Sequence, residues 1–262
     1  MNEYKSELGT IHYFFKKAKE GQINIMFLPS FGGDSTYLNF KNLIDKLDDK
    51  YGVLAIDTIG YGKSIEQDMN RNVSNIIKNY LDIVEYLDLN NIVIIGHSMG
   101  AIYSLFLAKT NIDIKQIILI EPPHIGIKNE ILVENNNFIE QVKNIKGLIN
   151  NGDVAPSDFL DSTNPKNSKE CRDLNSQILF DGFGNKSILS EAENTIDIIN
   201  ESSEIVSDDL LSNIILICTD TRETEYKSSQ FRNSKELYSI KGTHYLHWSN
   251  EKELLNIIFK VI

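Results

Sequence analysis

Apolar residues fall along this chain in two alternating patterns. Short Ile, Val and Leu runs are bounded by Gly, Asn, Asp or Pro, and the stretches between them repeat an apolar residue every three or four positions. The first pattern predicts strands buried on both faces, the second amphipathic helices. Strands are predicted at 11–15, 23–28, 53–57, 92–96, 117–121, 214–218 and 236–240. Helical spacing is clear in Tyr37, Phe40, Ile44 and Leu47, and in Ile76, Ile77, Tyr80, Leu81, Val84 and Leu87. A last helix opens near Asn250, with Glu253 placed for a capping box. Such alternation predicts an α/β fold, a mostly parallel sheet flanked by helices.

The alternation lapses between residues 125 and 212. Phe138, Val142, Ile145 and Ile149 keep helical spacing there, as do Ile188, Leu189, Ala192, Ile196 and Ile199, but no strand pattern occurs. Turn signals divide the stretch at Asn150-Asn151-Gly152-Asp153 and Asp181-Gly182-Phe183-Gly184. The expected organisation is a core of residues 1–124 and 213–262, with 125–212 a helical cap inserted between two strands. The cap holds 7 basic and 16 acidic residues, so −9 of the chain's net −11 lies in it.

That acidity argues against nucleic acid or anionic membranes as partners, since both require cationic surface. The longest apolar run, 214–218, is far too short for a membrane span. The first ten residues lack the apolar stretch of a signal peptide. Cys171 and Cys218 match no metal or redox spacing. A cytoplasmic protein with reduced thiols is therefore expected, and neither a metal nor another cofactor is implied.

Gly96-His97-Ser98-Met99-Gly100 follows the apolar run 92–95 and opens a helical stretch. A serine held on a tight strand-to-helix turn crowds the residues two before and two after it, and glycine at both places relieves the crowding. The turn would lift the Ser98 hydroxyl clear of the sheet and aim the Met99 N–H at a developing oxyanion.

Four segments in order resemble the α/β-hydrolase family. They are Phe27-Leu28-Pro29-Ser30-Phe31-Gly32-Gly33-Asp34-Ser35, Asp57-Thr58-Ile59-Gly60-Tyr61-Gly62-Lys63-Ser64, the serine turn, and Gly242-Thr243-His244-Tyr245-Leu246-His247-Trp248. The resemblance spans roughly residues 10–124 and 210–262. It implies that the first segment shapes an oxyanion hole, with the N–H of Phe31 as second donor beside Met99. Pro29-Ser30 replaces the family's usual His-Gly there.

The resemblance also implies His244 as the base for Ser98, with His247 as its rival. His97 would pack beside the turn, and His12 and His124, with no partners visible in sequence, read as structural or exposed. The acid belongs just past strand 214–218, but an ungapped match puts Arg222 at its place. Asp220 is favoured, Glu223 is the alternative, and Glu121 at the end of the preceding strand is a further candidate.

These features imply a serine hydrolase that cleaves a small, neutral carboxylic ester through an acyl-enzyme. The family's haloalkane dehalogenases and epoxide hydrolases carry aspartate where Ser98 stands. The same residues would equally serve a C–C bond hydrolase or a perhydrolase, and a non-hydrolytic ligand receptor is the reading of a different class.

Overall fold

The computed structural model describes residues 1–64 and 69–262. Among the described residues eight strands form one sheet in the order β1-β2-β4-β3-β5-β6-β7-β8. They are β1 (Asn2–Ser6), β2 (Gly9–Lys16), β3 (Asn24–Leu28), β4 (Gly52–Asp57), β5 (Ile92–His97), β6 (Ile114–Ile120), β7 (Ile214–Thr219) and β8 (Glu236–Ile240). β1 and β2 pair antiparallel, and from β4 to β8 every pairing is parallel. The chain enters each parallel strand from the same end, so all the following loops gather at one sheet edge. That is where ligands of open α/β sheets bind.

Successive side chains along a strand point to opposite faces, and the sheet obeys this throughout. Ile25, Phe27, Val53, Ala55, Val93, Ile95, Ile118, Ile120, Ile215 and Ile217 all pack on one face. There they meet α1 (Thr36–Ile44) through Phe40 and Leu43, and the C-terminal helix through Leu254 and Ile258. The alternate residues Met26, Leu28, Leu54, Ile56, Ile94, Leu119 and Leu216 pack on the other face. Their partners are α2 (Val73–Tyr86), through Ile76, Tyr80 and Ile83, and α3 (Met99–Leu107), through Ile102 and Leu105. Each such buried side chain contributes roughly 1.5–3 kcal/mol of transfer free energy.

Between β6 and β7 the chain makes a wholly helical excursion: α4 (Lys128–Asn151), α5 (Lys169–Gly182), α6 (Lys186–Ile205) and α7 (Asp208–Leu211). The turn signals fall where helices end. α4 stops at Gly152, whose φ of 79° closes the helix as glycine does most cheaply. The second signal ends α5, and the Asn185 side chain then caps α6 by accepting from the Ile188 N–H. After β7 come α8 (Glu223–Lys227) and, beyond β8, α9 (Leu246–Ser249) and α10 (Glu251–Val261).

Two local expectations are corrected. β1 was not foreseen, because its polar residues carry no burial pattern. It forms as an exposed edge strand by pairing Asn2 to Ser6 with Tyr13 to Gly9. Asn250 does not make a capping box with Glu253. Its amide donates to the Glu253 carboxylate at 2.7 Å and to the Lys241 carbonyl at 2.8 Å, tying the helix start to the loop before it. Among the described residues no helix is long and apolar enough to cross a membrane.

Candidate active site

Ser98 sits at the junction of β5 and α3 with φ 51° and ψ −119°, a left-handed backbone that costs a non-glycine residue roughly 1–3 kcal/mol. Its N–H extends the sheet by one bond, to the Ile120 carbonyl at 2.9 Å. The flanking glycines are required by contact. A Cβ on Gly100 would strike the carbonyl oxygens of Leu28 and Pro29, and one on Gly96 would strike Ser104 and the Gly100 carbonyl. The loop after β3 therefore runs directly against the serine turn. Pro29 uses its carbonyl in that contact, so its missing N–H costs nothing there. Two residues on, Phe31 lines the same cleft as Ser98 and Met99. Met99 is the first residue of α3, so its N–H has no acceptor within the helix.

His244 lies on the loop between β8 and α9. Its carbonyl accepts from His97 Nε2 at 2.9 Å, which fastens the loop to β5 beside Ser98. The ring centroids of His97 and His244 are 4.7 Å apart. The Thr243 N–H donates to Ser249 Oγ at 2.9 Å and holds the loop from its other side.

The carboxylate at His244 Nδ1 is that of Glu121, with Oε2 at 3.3 Å. This corrects the placement favoured from sequence. Asp220 is exposed at the start of a short turn after β7, and Glu223 is paired with Lys227. The physical reason lies in the backbone. Glu121 directly follows β6 with φ 52°, close to the value at Ser98, which follows the neighbouring β5, and its N–H bonds the Ile217 carbonyl at 2.9 Å. That twist leaves the side chain at the sheet edge beside His244. A carboxylate can only accept, so the bond puts the proton on His244 Nδ1 and leaves the Nε2 lone pair free.

Glu121 is 1 % exposed yet fully partnered. Oε1 accepts from the Thr219 N–H at 2.5 Å, and Oε2 also accepts from Arg222 Nη1 at 2.6 Å. Burial pushes its pKa up. The bonds from His244 and Thr219 and the Arg222 charge outweigh burial and hold it at about 2.

His247, the rival base, faces away from the cleft. It is fully buried, and its Nε2 donates to Asn39 Oδ1 at 2.7 Å. Asn39 in turn donates to Asp34 at 2.6 Å. Burial, and then the neighbouring His244, lower the His247 pKa to about 3. Burial also holds His97 well below the ordinary histidine value. The Nδ1 atoms of both rings are buried without a hydrogen-bond partner, as neutral imidazoles permit. His12 is half-buried on β2, far along the sheet from this loop. His124 is buried and bonds Glu225.

Ser98, Met99, Phe31, Glu121 and His244 open onto one cleft of about 400 Å³. Pro123, Ile127 and Ile131 give it an apolar wall, while Glu134, Asn135, Thr195 and Arg222 supply polar groups. Phe31 meets Phe138 of α4 edge-on, with centroids 5.3 Å apart. Among the described residues, no group of three or more His, Cys, Asp or Glu is placed to hold a metal ion. Sequence reasoning missed Arg222, Thr219 and Glu225. The one available signal was the cation at the place where an acid was sought.

Residues 23–149 match the model of a family described as having the alpha/beta hydrolase fold. A curated relative, "Probable lysophospholipase BODYGUARD 4" of Arabidopsis thaliana, is 28% identical over 133 residues, 46% of this chain and 31% of its own length. The chain thus matches under a third of that protein. A carboxylesterase of the archaeon Nitrososphaera gargenis superposes with a TM-score of 0.72 at 16% identity, covering 99% of this chain and 97% of the other. A haloalkane dehalogenase variant from Agrobacterium tumefaciens superposes equally well, with TM-score 0.72, 17% identity and coverage of 99% and 96%. Strand order, sequence match and structural likeness agree on the architecture: this chain has the α/β-hydrolase fold.

Proposed function

We propose that this protein is a serine hydrolase of small, uncharged carboxylic esters, with Ser98 as nucleophile, His244 as base and Glu121 as acid. Likeness of fold does not select this chemistry, since esterases and a dehalogenase superpose alike. The observation that carries it is local. A serine on a strained turn shares a cleft with a histidine whose Nδ1 is held by a buried carboxylate, which leaves Nε2 to act as base.

In this reading Ser98 Oγ attacks the ester carbonyl carbon while its proton passes to His244 Nε2. The carbonyl π-electrons move onto oxygen, which the N–H groups of Phe31 and Met99 receive. Collapse of this intermediate breaks the C–O bond of the alcohol, and His244 returns the proton to the leaving oxygen. Water then attacks the acyl-Ser98 carbonyl, giving its proton to His244. Release of the acid returns that proton to Ser98 Oγ. Glu121 stays ionised throughout and stabilises the imidazolium.

The charges around the cleft bear on the substrate. Arg222 is already shared by Glu121 and Glu225, so Glu134 leaves the site with a negative balance. This disfavours carboxylate or phosphate esters of net negative charge. The helical excursion acts as a cap, with α4 as the wall that meets the acyl or alcohol group. Lysophospholipids, named for the plant relative, belong in the substrate panel as zwitterionic esters. The free thiols Cys171 and Cys218 fit a reducing compartment; burial, with Glu121 beside it, pushes the Cys218 thiol up to about 12.

The test is hydrolysis of a p-nitrophenyl acyl series by the wild-type and Ser98→Ala proteins, with a fluorophosphonate label read in parallel. Ser98→Ala should lower kcat by at least about 10³-fold and abolish labelling. Undiminished hydrolysis by the variant would remove the proposal.

A further inference from the structure

We infer that Arg222 is a positioning residue for the reaction: bonded to the carboxylate oxygen that His244 also uses, it fixes the plane of Glu121 and sets where activity falls off on the acid side. This rests on the reading of Ser98, His244 and Glu121 as the reacting set, and goes beyond it.

Geometry makes the case. Arg222 Nη1 donates to Glu121 Oε2 at 2.6 Å, the atom that lies 3.3 Å from His244 Nδ1. The guanidinium is itself immobilised. Nε and Nη2 grip the two oxygens of Glu225 at 3.1 and 2.6 Å, and Cζ lies 4.8 Å from the centroid of the Tyr226 ring. Tyr226 Oη donates to the Pro122 carbonyl at 2.8 Å, which ties this support to the residue after Glu121. His124 Nδ1 accepts from the Gly126 N–H at 3.0 Å, so the ring proton is on Nε2 and is donated to Glu225 at 2.5 Å. A chain of donors and acceptors results, in which two neutral imidazoles flank three alternating charges: His244, Glu121, Arg222, Glu225, His124. It runs from the reacting base to the point where the core hands over to the helical excursion.

The fork geometry explains why arginine serves here. Three donors in one rigid plane span two carboxylates at once, which a lysine ammonium cannot do in the same orientation. Arg222 also partly neutralises Glu121, so the carboxylate stabilises a neighbouring imidazolium less. The other ionisable groups around His244 do not substitute for it. His97 of β5 and His247 of α9 are held neutral by burial, Tyr245 is neutral, and Glu134 of α4 lies across the cleft with the opposite sign.

Removing Arg222 moves the acid limb of activity upward by two routes of the same sign. Glu121 without its cation favours imidazolium at His244, and Glu121 itself, buried and less compensated, is protonated at higher pH. Removing Glu225 does the reverse, because Arg222 then bears on Glu121 alone. A purely structural support would lower activity in both variants without opposite shifts.

The experiment is the pH dependence of kcat/KM on a p-nitrophenyl ester for the full chain and its Arg222→Gln, Arg222→Lys and Glu225→Gln variants. Arg222→Gln should move the acid limb up by about one pH unit, a tenfold loss on that limb. Arg222→Lys keeps the charge and should leave the limb in place while lowering kcat through lost geometry. Glu225→Gln should move the limb down by a smaller amount. Coincident limbs for Arg222→Gln and wild type, or shifts of one sign in Arg222→Gln and Glu225→Gln, overturn the inference. Should Arg222→Gln not fold, an unmoved limb in Glu225→Gln overturns it alone. Ser98→Ala run alongside separates the two claims: a dead Ser98→Ala with unmoved limbs removes only this inference, and an active one removes the reading beneath it.

Discussion

The two long helices of the excursion, α4 and α6, are attached to the molecule in opposite ways. α6 buries polar and apolar residues alike: Ser187, Ile188, Glu191, Ala192, Thr195, Ile198, Ile199 and Ser202. Glu191 is completely buried, where it pairs with Arg71 at 2.5 Å and accepts from Tyr103 Oη at 2.6 Å. Arg71 also donates to Thr58 Oγ1 and the Ile59 carbonyl and lies 4.5 Å from the Tyr61 ring. The Asn185 amide reaches the Gly60 carbonyl. α4 is longer, yet Val142 is its one buried residue, and Leu132, Val133 and Leu148 are exposed on it. The difference teaches that the excursion is not one unit. α6 is a strut belonging to the core, and α4 is a wall of the cleft that touches the core through partly buried side chains such as Ile131 and Phe138.

The sharpest way to break this comparison is Glu191→Ala. It strands the Arg71 guanidinium in the core and should cost about 3–5 kcal/mol, or roughly 10 °C in Tm. Loss of less than 1 kcal/mol in urea unfolding would erase the distinction between the helices. Acid should act next, at the leading end of the excursion. Glu121 is held at about 2 against an ordinary 4.5, so its contribution is fully present above pH 4.5 and is lost as pH falls toward 2. That amounts to ~3 kcal/mol. Glu121→Gln should flatten that part of a stability-against-pH curve, and an unchanged slope would contradict it.

Smaller effects probe α4. Val142→Ala should cost roughly 1–2 kcal/mol, since it opens a void at the helix's single buried contact. Ile131→Ala lies on the cleft wall and should raise KM for an apolar ester roughly tenfold, at a stability cost of about 1 kcal/mol because the side chain is half-buried against the core. The same KM as wild type would mean that α4 does not meet the substrate. Leu132→Ser on the exposed face should change neither stability nor KM measurably.

Much of this was legible in the linear chain because the physics behind it is local. A strand buried on both faces must be apolar throughout, so β3 to β7 announce themselves. A serine turn must be flanked by glycines, so Ser98 is visible in five residues. His244 was reachable because a resemblance marks its loop. The acid was not. Glu121, Asp220 and Glu223 are three carboxylates near strand ends, and nothing in their neighbours ranks them. The choice falls to a backbone twist of φ 52° at Glu121 and to the contact between β6 and β7. β1 was hidden for the related reason that its stability comes from a partner strand and not from its own pattern.

The amino-acid order alone determined the α/β class, the helical interruption and the glycine-flanked serine turn, since periodicity and steric crowding act over a few residues. Only the folded structure decided which carboxylate holds His244, that Arg222 grips that carboxylate, and that α6 rather than α4 buries a paired charge in the core. Those outcomes depend on distances between segments about a hundred residues apart in the chain, and burial makes each such contact strong enough to matter.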